Sequence, residues 1–160
     1  LSLPIKNNID LPSLKRISRW LVINRKKDNA LVGESIKRLN IKTPSMNQVV
    51  INLSGGNQQK VVVAKWLGAK SDILIFDEPT KGIDVASKKE IYELMCELAR
   101  AGKAIILISS DMEELIGVSD RLEIFYEGTI TGKFDSFKKF DRNKIMEYAS
   151  GITDTTEGEE

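Results

Sequence analysis

Two adjacent carboxylates, Asp77 and Glu78, close an unbroken apolar run, Ile73-Leu74-Ile75-Phe76, and Pro79 follows at once. A continuous run of this kind predicts a strand buried on both faces of a parallel sheet. The two carboxylates then emerge at the strand's C-terminal edge, where open α/β sheets bind ligands. Pro79, with no N–H to donate, turns the chain away. In phosphoryl-transfer chemistry a strand-end Asp can hold Mg²⁺, and a neighbouring Glu can orient or deprotonate the attacking water. Upstream, Leu53 to Lys60 reads LSGGNQQK and supplies complementary chemistry. Ser54 has the residue type of an N-cap, and Gly55 and Gly56 allow a ligand close to the backbone. Exposed N–H groups and the helix dipole make such a start attractive to phosphate. Taken singly, each pattern also has a bland reading: a solvated carboxylate pair, or an ordinary capped helix with a flexible lead-in.

Taken in order, LSGGNQQK, ILIFDEPT and KGID resemble the ABC-type ATPases, and the likeness extends over about Asn8 to Phe134. The resemblance makes Leu53 to Lys60 the signature motif, with Ser54, Gly55, Gly56 and Gln58 as nucleotide-binding residues. It makes Ile73 to Glu78 the Walker B strand, with Asp77 as the Mg²⁺ ligand and Glu78 as the catalytic carboxylate. Asp84 becomes the D-loop aspartate, joining two sites across a dimer. With Asn57, LISSDMEELIGVSDR and YEGTITGKF, the chain is similar to the second nucleotide-binding domain of tandem ATPases that drive monosaccharide importers of the ribose and galactose type.

That likeness implies an α/β fold: the distal part of a P-loop NTPase parallel sheet, with a small helical subdomain and a C-terminal β-hairpin. It implies residues 8–50 as the helical subdomain, 51–134 as the ATPase core and 135–160 as a C-terminal helix and acidic tail. The implied cofactors are ATP and Mg²⁺, and the implied activity couples MgATP hydrolysis to sugar import. The implied partners are a first nucleotide-binding domain or a second ATPase copy, transmembrane permease subunits and, indirectly, a periplasmic sugar-binding protein. The implied location is the cytoplasmic face of the membrane. Two alternatives stand beside it: a soluble ABC-type ATPase of DNA repair or chromosome maintenance, and a non-catalytic ABC module. Long heptad coiled coils lead into LSGG in the first of these, and residues 11–50 contain no such heptads.

The chain departs from the family pattern in two ways. There is no G-x-x-x-x-G-K-[ST] loop; the nearest match, GTITGK from Gly128 to Lys133, lacks the Ser/Thr and falls in an expected hairpin. No Q-loop and no aromatic adenine platform precede the signature, so the chain resembles a C-terminal portion of a nucleotide-binding domain. Second, Ser110 stands where these ATPases usually carry a catalytic histidine. A serine donates or accepts a hydrogen bond and brings no positive charge. In ABC dimers the signature serves the partner's ATP, so Ser54 to Gly56 are expected to be the better-preserved contribution. In the family's sheet, the strand at Ala104 to Ser109 adjoins the phosphate-loop strand. Its edge is then unpaired, and such edges recruit partners, so self-association is expected.

Composition is compatible with all of this. At 160 residues, 41% hydrophobic, the chain can bury a core. A net charge of +1 gives no reason to expect nucleic acid as a main partner. One cysteine, Cys96, excludes an internal disulfide framework, and the absence of histidine removes His-based catalysis and His metal sites. No apolar run approaches the roughly 20 residues of a membrane-spanning helix.

The elements that must position these groups follow from periodicity. Leu1 to Asp10 reads as a loop, and a helix is expected from Leu11 through Leu14, Ile17, Leu21 and Val22. Arg25 to Asn29 reads as a polar connector, followed by a helix from Ala30 to Leu39 and a loop over Ile41 to Val50. The signature helix should run to about Ala69, with Val62 and Trp66 in a core stripe. A helix from Asp84 to Arg100, stopped by Gly102, should connect two buried parallel strands, the second at Ala104 to Ser109. Asp111 should cap a short acidic helix, Arg121–Tyr126 and Thr129–Phe134 should form a hairpin around Glu127-Gly128, and a helix near Asp141 to Ala149 should end at Gly151. The acidic tail to Glu160 reads as disordered.

Overall fold

Ile5 and Ile9 stand one helical turn apart and are both 0% exposed, and they anchor a first helix, α1 (Ile5–Asp10). The computed structural model describes residues 2–14, 18–19 and 22–152. Backbone contacts divide the chain into two units, Leu1–Ile108 and Ser109–Glu160.

In the first unit the helix begins where the sequence pattern predicts a loop. Burial of Ile5 and Ile9 outweighs the loop tendency of Asn7 and Asn8. Pro12, without an N–H to give, falls where α1 tightens into a 3₁₀ turn, Leu11–Ser13. The described residues do not carry one helix from Leu11 to Val22. Ser18–Arg19 (β1) and Val22–Ile23 (β2) pair antiparallel instead, and residues 15–17 and 20–21 lie outside the described residues. Helix α2 (Arg25–Arg38) includes the stretch expected as a polar connector. Its extra turn has a local cause, since the Asn24 side chain accepts from the Lys27 N–H at 3.1 Å and caps the helix. Asp28 in that turn is drawn inward to an ion pair with Lys6 at 2.8 Å.

Helix α3 (Gly55–Leu67) follows a short 3₁₀ turn, Val50–Asn52. Its inward face is Val61 and Ala64, three apart, with Val63 and Lys60 beside them. Trp66 falls off that face. It is 53% exposed rather than part of a core stripe, and the Lys65 Nζ lies 5.0 Å from its ring centroid.

Strand β3 (Ile73–Asp77) pairs in parallel with β4 (Ala104–Ile108), in a register running from Ile73 opposite Ala104 to Asp77 opposite Ile108. Helix α4 (Val85–Arg100) connects them and buries Ile91, Leu94, Met95 and Leu98. The expected burial of both strand faces is not met. Leu74 and Phe76 are buried, whereas Ile73 and Ile75 are 61% and 66% exposed, and Ile106 and Ile108 are half exposed beside them. The physical reason is that nothing among the described residues covers the second face of the sheet. It stands open and apolar.

The second unit is a hairpin and two helices. Asp111 caps α5 (Met112–Val118), its Oδ1 accepting from the Glu113 and Glu114 N–H groups at 3.1 and 3.3 Å. Strands β5 (Leu122–Tyr126) and β6 (Thr129–Phe134) turn through Glu127 and Gly128, with φ of 46° and 82°. Positive φ at both turn residues matches the twist of a two-residue hairpin. GTITGK is therefore hairpin strand, as expected. Asp141 caps α6 (Arg142–Ala149), whose Ile145 packs with Leu122, Ile124 and Phe134. The acidic tail beyond Ile152 lies outside the described residues. No helix among the described residues is long and apolar enough to cross a membrane.

Candidate functional site

Ser54 holds the N-cap position of α3, with extended backbone at φ −61° and ψ 154°, yet its side chain makes no capping hydrogen bond. The hydroxyl accepts instead from Asn57 Nδ2 at 2.8 Å. Asn57 Oδ1 in turn accepts from the Lys42 backbone N–H at 2.8 Å, which ties the loop after α2 to the start of α3. Gln58 turns the other way. Its Nε2 donates to the Leu53 carbonyl at 2.8 Å and the Ile51 carbonyl at 3.3 Å, holding the chain that leads into the helix. One turn on, Lys60 is only 5% exposed, donates to the Asn40 carbonyl at 3.1 Å and forms an ion pair with Glu90 of α4.

The start of α4 lies against the start of α3. Asp84 caps α4, its Oδ1 accepting from the Ser87 N–H at 2.9 Å and its Oδ2 from the Ser87 hydroxyl at 2.7 Å. The Ser87 N–H bond, with the hydroxyl second, holds the Asp84 carboxyl below the usual carboxylate range. Gly56 faces the same serine. A Cβ at residue 56 would come within 2.1 Å of Ser87 Oγ and 2.5 Å of Ser87 Cβ, so only glycine lets the two helix starts approach this closely. Between them opens a cleft of about 190 Å³, whose walls include Lys42, Ser54, Gly56, Asn57, Lys60 and Asp84.

Asp77 and Glu78 form a separate locus. Asp77 ends β3 and is exposed. The Glu78 N–H donates to the Ile108 carbonyl at 2.9 Å, so pairing with β4 carries one residue past the strand. Glu78 then takes a left-handed φ of 46°, uncommon for a residue with a side chain, and the buried Pro79 and Thr80 hold the bend from below. This donor set fits Mg²⁺, which needs one or two protein carboxylates and fills the remaining positions with water and phosphate oxygens. Among the described residues no cluster of three His, Cys, Asp or Glu gathers into an all-protein cage.

The structure thus brings Ser54, Gly56 and Asp84 to one cleft, whereas Gly55 faces Gly82 and Ile83 and Gln58 is bonded to the Leu53 carbonyl. Asp77 and Glu78 do not line that cleft. Ser110 belongs to the other unit and is exposed, while its neighbour Ser109 donates to Glu114 and accepts from the Asp111 N–H at 3.0 Å. Asn57, Lys42, Lys60 and Ser87 were not singled out from the sequence as site residues. Asn57 and Lys60 were visible inside LSGGNQQK, but nothing in the sequence signals that Lys42 or Ser87 closes on them.

A second, more open cleft of about 440 Å³ lies beside α1 and α2. Two carboxylates there, Asp10 and Asp28, are 7% and 2% exposed. Burial, helped by the Asp28 charge, pushes the Asp10 carboxyl above its usual range.

Comparison with known proteins places these features in a family. Residues 5–81 match the ABC transporter family. The chain is 49% identical over 150 residues to the ribose import ATP-binding protein RbsA of Clostridium tetani, an alignment covering 93% of this chain. Part of an ABC transporter domain is thus present in residues 5–81. It is also 47% identical over 147 residues to the xylose import ATP-binding protein XylG of Thermoanaerobacter pseudethanolicus, covering 92% of this chain. The chain spans 30% of the length of the first of these ABC proteins and 29% of the second. Among solved structures, the post-hydrolysis dimer of the ATP-binding cassette MJ0796 with ADP and Pi aligns at a TM-score of 0.72 and 22% identity, over 86% of this chain and 58% of that one. MJ1267, an ATP-binding cassette of an ABC transporter, aligns at 0.76 and 15%, over 91% and 62%. At these identities the structural likeness speaks for the fold: the ABC ATP-binding cassette, here with a parallel strand pair and an antiparallel hairpin.

Proposed function

We propose that this chain is the distal part of the ATP-binding subunit of a sugar-importing ABC transporter, coupling MgATP binding and hydrolysis to transport. The observation that carries this reading is the 49% identity to a ribose import ATP-binding protein across 93% of the chain. In this reading Ser54, Gly55 and Gly56 clamp the γ-phosphate of an ATP held by a partner cassette's phosphate loop. The uncapped start of α3 supports that role, since unsatisfied helix N–H groups and the dipole favour phosphate. Gln58 holds the lead-in to that start, and Asp84 fixes the neighbouring helix start at which the two sites meet.

At the chain's own site Asp77 would hold Mg²⁺, which supplies charge neutralisation for the transferred phosphoryl group. Glu78 would orient the attacking water and accept its proton. Ser110, at the position the resemblance gives to a catalytic histidine, would supply a hydroxyl with no positive charge. The partners are a first nucleotide-binding domain of the same polypeptide or a second ATPase copy, permease subunits, and indirectly a periplasmic sugar-binding protein. The location is peripheral, on the cytoplasmic face of the membrane. The open face of Ile73, Ile75, Ile106 and Ile108 supports self-association of the chain by itself.

The test is steady-state ATPase activity of the full-length gene product. Ser54→Ala is expected to depress kcat/KM about tenfold or more, the scale of losing one donor to a developing charge, and to depress it more than Ser110→Ala. Equal or reversed losses would overturn the assignment of the signature as the stronger contribution.

A further inference from the structure

We infer that Asn57 is a positioning residue that fixes the polarity of the Ser54 hydroxyl, so that this hydroxyl acts as a hydrogen-bond donor in the cleft. The inference rests on the phosphate clamp proposed above and assigns a part to a side chain outside Ser54 to Gly56.

The argument starts at Lys42. Its backbone N–H can only donate, and it meets the Asn57 side chain at 2.8 Å. The atom facing it must therefore be the amide oxygen, which settles the orientation of an amide whose two ends are otherwise alike. The amide nitrogen is then directed at Ser54 Oγ, 2.8 Å away. An amide NH₂ has no lone pair to offer, so Ser54 can only accept there. Its own proton is left for a different acceptor.

The Ser54 side chain accepts from no backbone N–H of α3, so its one hydrogen bond among the described residues is the one it accepts from the Asn57 side chain. A phosphate oxygen in the cleft is an acceptor without protons near neutral pH, and it needs a donor at this place. The chain Lys42 N–H to Asn57 to Ser54 thus ends in a donor aimed outward. Such chains polarise one another, and each link strengthens the next. Accepting from Asn57 excludes the rotamer that would point the Ser54 proton at Asn57, and so lowers the ordering cost that a freely turning hydroxyl meets when ligand arrives. Asn57 touches Ser54 and the Lys42 backbone, and acts on a nucleotide only through Ser54.

Asn57→Asp keeps the shape and reverses the polarity. Its second oxygen accepts from Ser54, so the hydroxyl proton turns away from the cleft. The new negative charge also repels phosphate, and a double-mutant cycle separates the two effects. Charge repulsion persists when Ser54 is alanine, whereas polarity reversal needs the hydroxyl.

In the full-length gene product we expect Asn57→Asp to lower ATPase kcat/KM about tenfold in the Ser54 background and by less than about threefold in the Ser54→Ala background. Asn57→Leu, of similar size and unable to donate or accept, should lose less than Asn57→Asp with Ser54 present, and thermal midpoints should stay close to the parent's. An Asn57→Asp loss of equal factor in both backgrounds overturns the inference, because charge alone then explains it. Activity of Asn57→Asp within twofold of the parent overturns it as well. If Ser54→Ala itself leaves kcat/KM unchanged, the clamp fails and this inference falls with it. A depressed Ser54→Ala beside an inert Asn57→Asp removes only the part assigned to Asn57.

Discussion

Two helix starts meet at the cleft, and they are built on opposite terms. Ser54 and Asp84 both stand at an N-cap with nearly the same extended backbone, at φ −61°, ψ 154° and φ −71°, ψ 161°. Asp84 commits both carboxylate oxygens to Ser87 and closes its own helix end. Ser54 gives its side chain to none of its helix's N–H groups, and its hydroxyl is held instead by the side chain of Asn57, three residues on in the same helix. A satisfied cap stabilises a fold and leaves little for a ligand, whereas an unsatisfied one gives up about 1 kcal/mol of helix stability and keeps its donors available. The difference suggests which start serves as scaffold and which as binding edge.

The contrast can be broken most severely at Gly56. Gly56→Ala places a methyl group against Ser87, and overpacking at such a contact costs about 1–3 kcal/mol. Thermal unfolding of the full-length product should register that loss, and Ser87→Gly in the same protein should recover part of it. A Gly56→Ala protein as stable as the parent would mean that the two starts are not packed as described.

A smaller effect sharpens the same contrast. Asp84→Ala should lower the thermal midpoint measurably, because a helix cap is lost. Ser54→Ala should change stability by less than about 0.5 kcal/mol, since no cap is removed. Equal losses at the two positions would erase the distinction between scaffold and binding edge.

The smallest effects are pH dependences of opposite sign. Asp84 is held below its ordinary value, so the unfolded chain binds more protons in the window beneath it. Its cap contribution is present above the ordinary carboxylate pKa and is lost as pH falls through the depressed value. Asp10 is raised above 3.8, so the native state binds more protons between that value and the raised one, and its unfavourable contribution grows as pH rises. Asp10→Asn should therefore raise the thermal midpoint near neutrality and lose that advantage below about pH 4. An advantage independent of pH would show that burial of the charge at Asp10 is not the cause.

Much of the frame was legible in the residues themselves. Asp84, Asp111 and Asp141 each cap a helix, because a short acidic side chain reaches the N–H groups two or three residues on without help from the rest of the fold. The Glu127-Gly128 hairpin is equally local, since Gly128 takes its positive φ without steric cost and the two-residue turn follows. Reasoning from pattern failed where distant contacts decide. α1 forms because Ile5 and Ile9 find a buried place, and Asp28 in α2 is buried because it meets Lys6 of α1. Trp66 turns outward because Val61 and Ala64 define the inward face.

For the site, the sequence alone determined the chemistry on offer: a glycine-rich helix start and an Asp-Glu strand end, both written as short contiguous motifs. Local spacing is enough for these, since the groups concerned are bonded neighbours. Only the tertiary structure decided that the Asn57 side chain rather than a helix N–H holds the Ser54 hydroxyl, that Lys42 orients Asn57, and that Ser87 presses on Gly56. Those partners are far apart along the chain or replaceable within it. Hydrogen bonds of fixed direction form between them only once packing has brought the two helix starts and the Lys42 loop together.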